Sequence, residues 1–458
     1  MFQQSYFAFT NKLSIIHYPL SIIHYPLSIK KMIEFQRYIL PNGLRVLIHE
    51  DNSTPLIAVN LLYDVGSRDE NPTRTGFAHL FEHLMFAGSK HAPDFDMPIQ
   101  QAGGENNAFT NNDMTNFYAT VPAENLETLL WLESDRMLAL NVNARSLNVQ
   151  RKVVVEEFKE TTLNEPYGDM WHHLSAMTYK AHPYRWPVIG LEPQHIVEAT
   201  LPEVKGFYKK YYVPNNAILV IAGNLEKCGD NDGTSRNYRE GVREKVEKWF
   251  GAIPKSDLPP RSLIQEPPQT EERRTILEAP VPLDALFMAF HAPARYDADY
   301  YAVDLLTDVL SNGSSSRFYR RLLKDKRSVS EIDCAQAGYL DPSLVIIDAK
   351  PTDGLSLEDI EGDIWAELET LKNEPISEKE LQKLKNKMES QQTFSDAAAL
   401  NKAMNLAFYE LMGNAQLINT EIELYNAVSV ADIQRVARQI FRKENSSVLY
   451  YKAKKVTA

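Results

Sequence analysis

Two cysteines in 458 residues, Cys228 and Cys334, are too few for a disulfide framework or a thiolate metal cluster. Metal chemistry in this chain would have to run on imidazole and carboxylate. Basic residues are also in deficit, with 49 Lys and Arg against 61 Asp and Glu and a net charge of -12. That balance argues against the basic surface of a nucleic-acid binder. Long uninterrupted apolar runs are missing as well. The most conspicuous one, residues 13–26, is broken by Pro19 and Pro26 and is unsuited to spanning a bilayer. What remains, 44% hydrophobic and 24% charged residues, is the composition of a water-soluble globular protein with room for roughly two to four domains.

Residues 1–31 stand apart from the rest, because LSIIHYP at 13–19 is repeated without change at 20–26. They read as a non-native or disordered leader, with Met32 as the functional start. Discounting them, and with so little cysteine, a cytoplasmic location is expected. From Phe35 the pattern is that of a folded domain. An Asn42-Gly43 turn separates two short strands, residues 56–65 form a buried strand, and 66–75 a polar loop. Residues 103–121 read as a turn and two strands, and 226–239 as an insertion-like loop. Residues 253–272 carry five prolines among charges and form a linker. After it the order strand, polar loop, apolar helix, Gly/Ser turn begins again over 285–313. The expected division is therefore a first domain at 32–252, the linker at 253–272 and a second, similar domain at 273–458. Ser356, Ser377 and Ser429, each followed three residues on by Asp or Glu, mark helix starts; Ser377 with Glu380 is the best capping box.

One stretch dictates a chemistry. Residues 76–88 read GFAHLFEHLMFAG, and on a helix His79 and His83 lie one turn apart on the same face, able to reach one metal ion. Glu82 falls beside them. The other side chains of this turn are apolar, so the helix should be mostly buried, capped by Thr75 and stopped by Gly88. A third ligand is sought on the helix at 147–161, which offers Glu156, Glu157 and Glu160. Glu157 shares a face with Gln150, Val153, Val154 and Phe158, whereas Glu156 and Glu160 sit with Lys152 on a charged face. A carboxylate on a buried face needs a partner or a metal, which selects Glu157. The second domain's helix carries no histidine, so that domain should be metal-free.

His79-x-x-Glu82-His83, the Arg151-Lys152-Val-Val-Val-Glu156-Glu157 segment, Gly104-Glu-Asn-Asn107-Ala108, His182-Pro183 and Pro214-Asn-Asn216 together make the sequence resemble the pitrilysin (insulinase) family of zinc peptidases, the inverzincins. It looks most like bacterial members related to the mitochondrial processing peptidase. The resemblance implies two similar α+β domains, each a mostly antiparallel sheet with helices packed on it, facing one another across a peptide chamber. It implies one Zn2+ per chain held by His79, His83 and Glu157, with an open position for water, and Glu82 as general base in a metalloendopeptidase. It implies substrate binding as an added strand near Asn107 and Ala108, and an Arg of the second domain, Arg317, against the substrate. The Tyr that accompanies this Arg in the family is absent; its place falls near Ser330. Gln150 likewise stands where many members carry Glu. A homodimer, or a heterodimer with an Arg/Tyr-bearing homologue, is the expected assembly. The competing reading is a non-catalytic scaffold subunit.

Overall fold

In the computed structural model the described residues are 32–228, 238–258, 260–261 and 264–454. The leader at 1–31 and most of the loop expected at 226–239 lie outside them. The first sheet contains β1 (Gln36–Ile39), β2 (Arg45–Glu50), β3 (Leu56–Tyr63), β4 (Glu105–Thr110), β5 (Thr115–Pro122) and β6 (Ala217–Gly223), in the order β1-β2-β6-β3-β5-β4. The second contains β7 (Arg273–Ala279), β8 (Ala285–Ala292), β9 (Val329–Gln336), β10 (Ser343–Pro351) and β11 (Ser446–Ala453), in the order β7-β11-β8-β10-β9. Without the hairpin strand β1 the two orders are the same, position for position. Even the single parallel pair recurs, β2 with β6 in one sheet and β7 with β11 in the other. All remaining neighbours are antiparallel.

Burial follows position in the sheet. Every residue of β6 is buried, as its unbroken apolar sequence AILVIAG demands of a strand covered on both faces. Edge strand β7 alternates half-buried and exposed residues. One face of the first sheet packs against helices Phe77–Phe86, Leu126–Ala139 and Ala144–Phe158, which supply Phe81, Leu129 and Val154 to a common core. Its other face is closed from far along the chain. Ala403, Leu406 and Ala407 of helix Ala399–Leu411 pack on Leu47, Ala58, Leu62 and Val220.

The exchange is reciprocal. Leu174 and Met177 of helix Met170–Thr178 pack on Phe287, Ala289, Leu344 and Leu449 of the second sheet. Burying apolar side chains of this size stabilises by about 1.5–3 kcal/mol each. Each half therefore completes its core with a helix lent by the other. No helix among the described residues is long and apolar enough to cross a membrane.

Candidate metal centre

The motif helix, Phe77–Phe86, lies between β3 and β4 with Phe77, Ala78, Leu80, Phe81, Leu84 and Met85 buried. Its amphipathic pattern leaves a narrow polar stripe of His79, Glu82 and His83. The cap is not the expected one. Thr75 spends its hydroxyl on His195 Nδ1, 2.8 Å away, and accepts a hydrogen bond from the Leu191 amide. The helix begins at Gly76, with φ +88, where a Cβ would meet the Ile189 carbonyl at 2.8 Å. Its free amides are satisfied by Glu70, whose carboxylate accepts from Gly76 N at 2.9 Å and Ala78 N at 2.8 Å. Burial pushes the Glu70 carboxyl up to about 8, against the pull of those amides. Gly88, with φ +94, ends the helix as expected; a Cβ there would strike the Pro93 carbonyl.

Helix Ala144–Phe158 is started by Asn143, which accepts from Arg145 N and Ser146 N. It lies against the motif helix and brings Glu157 to the histidines. His83 Nε2 is 3.1 Å from Glu157 Oε2, His79 Nε2 is 3.6 Å from Glu157 Oε1, and the two Nε2 atoms are 3.3 Å apart. The imidazole rings are nearly perpendicular, at 84°. Leu147, Val154 and Phe158 seat this helix, but Val153, expected on the same buried face, is 44% exposed. Glu157 stands at the border between the packed side and the open one. The chain then widens into a π turn over Lys159–Asn164, with the Thr161 hydroxyl bonded to the Glu157 carbonyl.

The donor set fits a metal ion. Ligand atoms about 2.0–2.1 Å from a tetrahedral centre lie roughly 3.3–3.4 Å apart; the two Nε2 atoms match that value, and one Glu157 oxygen lies 3.1 Å from His83 and the other 3.6 Å from His79. Two imidazole nitrogens and a carboxylate are also the donors that zinc takes in open, three-ligand sites. Among the described residues this trio is the only such cluster of His, Cys, Asp and Glu. Burial pushes the His79 imidazole below its ordinary value, which favours the neutral form that a metal ligand needs. Burial opposes ionisation of Glu157, yet the hydrogen bond from His83 and the nearby imidazoles hold its carboxyl below the usual range.

The remaining expected site residues are less tightly gathered. Glu82 is half-buried on the motif helix, next to His83 in sequence. Asn107 and Ala108 lie on β4, which ends the sheet with one edge unpaired among the described strands. Asn107 is exposed, its side-chain oxygen accepting from the Ala108 amide at 2.8 Å. Arg317 belongs to the second half; its Nε is 3.7 Å from Glu380, and one buried guanidinium nitrogen has no hydrogen bond. Glu380 faces Arg317 and does not return to the Ser377 backbone, so the capping box expected there is half made. The Ser377 hydroxyl accepts from the Glu380 amide, but the reciprocal bond seen at Ser356 with Asp359 and Ser429 with Asp432 is missing. Ser330 is exposed on β9. Sequence reasoning passed over Glu70, which lies in an unremarkable polar loop six residues before the helix it caps.

The chain is thus a duplicated sheet-and-helix scaffold whose first half carries an imidazole-carboxylate cluster able to hold a metal ion. Residues 45–191 match the family described as "Insulinase (Peptidase family M16)", and residues 237–388 match "Peptidase M16 inactive domain". The chain is 30% identical over 424 residues to the zinc protease PqqE of Helicobacter pylori, covering 90% of this chain and 91% of that protein. It is 25% identical over 281 residues to the beta subunit of the mitochondrial-processing peptidase of Saccharomyces cerevisiae, covering 60% and 57%. The crystal structure of a protease from Helicobacter pylori superposes with a TM-score of 0.84 at 28% identity, covering 92% of this chain and all of that one. The chain belongs to the insulinase family, peptidase family M16, whose relatives here carry the name zinc protease.

Proposed function

We propose that this chain is a zinc metalloendopeptidase that hydrolyses extended peptides or unfolded segments. His79, His83 and Glu157 hold the ion and Glu82 is the general base. The observation that carries this reading is the convergence of two imidazole nitrogens and a carboxylate at close to the spacing a tetrahedral ion requires. Bound zinc supplies Lewis acidity, lowering the pKa of water to about 7 and polarising a carbonyl. The Glu82 carboxylate takes the proton of the attacking water and delivers it to the leaving amine nitrogen. The free edge of β4 at Asn107 and Ala108 receives the peptide backbone as an added strand, which keeps recognition largely independent of side chains.

By chain position we divide the protein into a zinc-bearing half at 32–252, a joint at 253–272 and a metal-free half at 273–458. A peptide chamber is part of the same reading. Two observations favour dependence on a second subunit, a further copy or an Arg/Tyr-bearing homologue. Arg317 is engaged by Glu380, and a serine stands where the family's tyrosine is expected. Free, buried Cys228 and Cys334 accord with a reducing, cytoplasmic setting.

The test is zinc content together with cleavage of quenched peptides, run beside Glu82→Gln. Zinc near one per chain is expected, with turnover in the variant falling by about 10²–10⁴-fold while zinc is retained. Zinc without turnover would favour the partner-dependent subunit, and absence of zinc would overturn the reading.

A further inference from the structure

Between β3 and the motif helix, three consecutive side chains hold three different parts of the molecule. Arg68, 6% exposed, directs Nη1 to Asp113 Oδ1 at 2.8 Å and to Asp341 Oδ2 at 3.1 Å. Asp69 is gripped by Arg261 of the Pro-rich joint, whose Nε lies 2.8 Å from Asp69 Oδ1 and whose Nη1 lies 2.8 Å from Asp64. Glu70 caps the motif helix through Gly76 N and Ala78 N, the latter immediately before His79.

Asp341 lies on the turn joining β9 to β10, in the second half, and that turn is inserted into the first. Leu340 N donates to Asp113 Oδ2 at 3.0 Å, Asp341 N donates to the Tyr184 hydroxyl at 3.1 Å, and the Tyr179 hydroxyl donates to the Pro342 carbonyl at 2.8 Å. Tyr184 also hydrogen-bonds Asp113, and its ring packs on Tyr339. His182 Nε2 is 3.5 Å from Asp341. Charges buried this way are costly to separate, since loss of one partner leaves the other desolvated and unpaired. The backbone of the loop is pressed against the opposing turn as well. Ser67 N and Arg68 N donate to the Asn111 and Asn112 carbonyls, and a Cβ at Gly66 would strike the Asn112 carbonyl at 2.4 Å.

We propose that Arg68-Asp69-Glu70 couples the docking of the second half's 339–342 turn to the placement of the motif helix. Glu70 is then a positioning residue for the donor trio, and Asp341 acts on it from the other half. Rigid backbone between adjacent residues carries the coupling: a shift of Arg68 moves Glu70, and with it the first turn that bears His79. Metal–ligand distances fall within about 0.2 Å of their standard values, so small shifts of a ligand-bearing turn are felt. The consequence for metal affinity rests on the zinc reading above; the consequence for the helix does not.

The experiment measures hydrogen exchange by mass spectrometry on the full, metal-free chain, comparing wild type with Asp341→Asn, Asp341→Ala and Glu70→Gln. Amides of residues 76–86 are expected to exchange at least about tenfold faster in each variant, with helix Leu126–Ala139 of the same half unchanged. Adding Asp341→Asn to Glu70→Gln should add little, because both act through one path. Zinc affinity, read by chelator competition, should weaken about 10- to 100-fold in the Asp341 variants, which touch no ligand. Unchanged exchange over 76–86, or an equal rise in both helices, would overturn the coupling. Failure of the wild type to bind zinc would sink the metal reading alone, leaving exchange over 76–86 to decide the coupling.

Discussion

Helices Phe77–Phe86 and Tyr300–Ser311 occupy the same place in two copies of one topology, each following the middle strand of the shared five-strand order, yet their polar stripes are differently partnered. In the first, His79, His83 and Glu157 bring ligand atoms to within 3.1–3.6 Å of one another. In the second, Asp304 receives the Tyr425 hydroxyl at 2.6 Å and Asp308 receives Asn312 Nδ2 at 2.5 Å. The first stripe gathers imidazoles and a carboxylate from two helices, whereas the second turns Asp304 and one Asp308 oxygen to partners within its own half. The duplicated framework is thus indifferent to the chemistry it carries; a handful of side chains on one helix pair decides it.

Both halves also bury an Arg–Glu pair against aromatic rings. Arg136 is bidentate to Glu133 and stacked 4.2 Å from the Phe117 ring; Arg295 pairs with Glu421 and lies 4.1 Å from the Tyr300 ring. Glu133→Ala and Glu421→Ala are each expected to cost about 3–5 kcal/mol, because each strands a desolvated guanidinium. Urea denaturation measures this. Since the halves exchange helices, a single transition is expected in both variants. A large loss in one variant beside a small loss in the other, or two separate transitions, would break the likeness of the two cores.

The next effect belongs to the second half alone. Burial pushes the Asp304 carboxyl up to about 6, helped by the nearby Asp308 charge. A carboxyl raised above its unfolded value binds its proton more tightly in the folded state. Its contribution is therefore fully present at low pH and is lost as pH rises from about 4 to about 6. Asp304→Asn keeps an acceptor for Tyr425 without the ionisation. Relative to the wild type it should gain on the order of 2 kcal/mol between pH 4 and pH 7, read as a widening gap in Tm. A gap that stays constant over this range would show that Asp304 is ionised without cost.

Much of this was legible in the sequence because spacing reports local geometry. His79 and His83 fix a helix face, the prolines of 253–272 fall where no helix or strand is seen among the described residues between Phe250 and Arg273, and the recurrence after them announces the second sheet. Glu157 was found by a face argument that the exposure of Val153 shows to be only partly right; the carboxylate stands at the edge of the buried stripe. What spacing cannot report is which distant surface an element covers. Nothing in helix Ala399–Leu411 names the first sheet as its partner, and nothing in Arg68 names Asp341. Capping showed the same boundary: Thr75 has the right chemistry and position, but His195 and Leu191 claim it, and Glu70 takes its place.

The smallest expected effect on stability bears on whether the second half serves the first. In Arg317→Ala the 3.7 Å pairing with Glu380 is lost, a contact too long for a strong hydrogen bond, while the buried guanidinium nitrogen that has no hydrogen bond is removed as well. The same change frees Glu380 to turn back on the Ser377 backbone and complete the capping box, recovering part of the loss. Net stability should therefore move by less than about 1 kcal/mol. Against that flat background, peptide cleavage is informative. A several-fold rise in KM with an unchanged Tm would place Arg317 on the substrate, as the family resemblance implies. Unaltered kinetics would leave Arg317 a structural partner of Glu380, and the second half would then contribute packing and the 339–342 turn but no substrate contact through this residue.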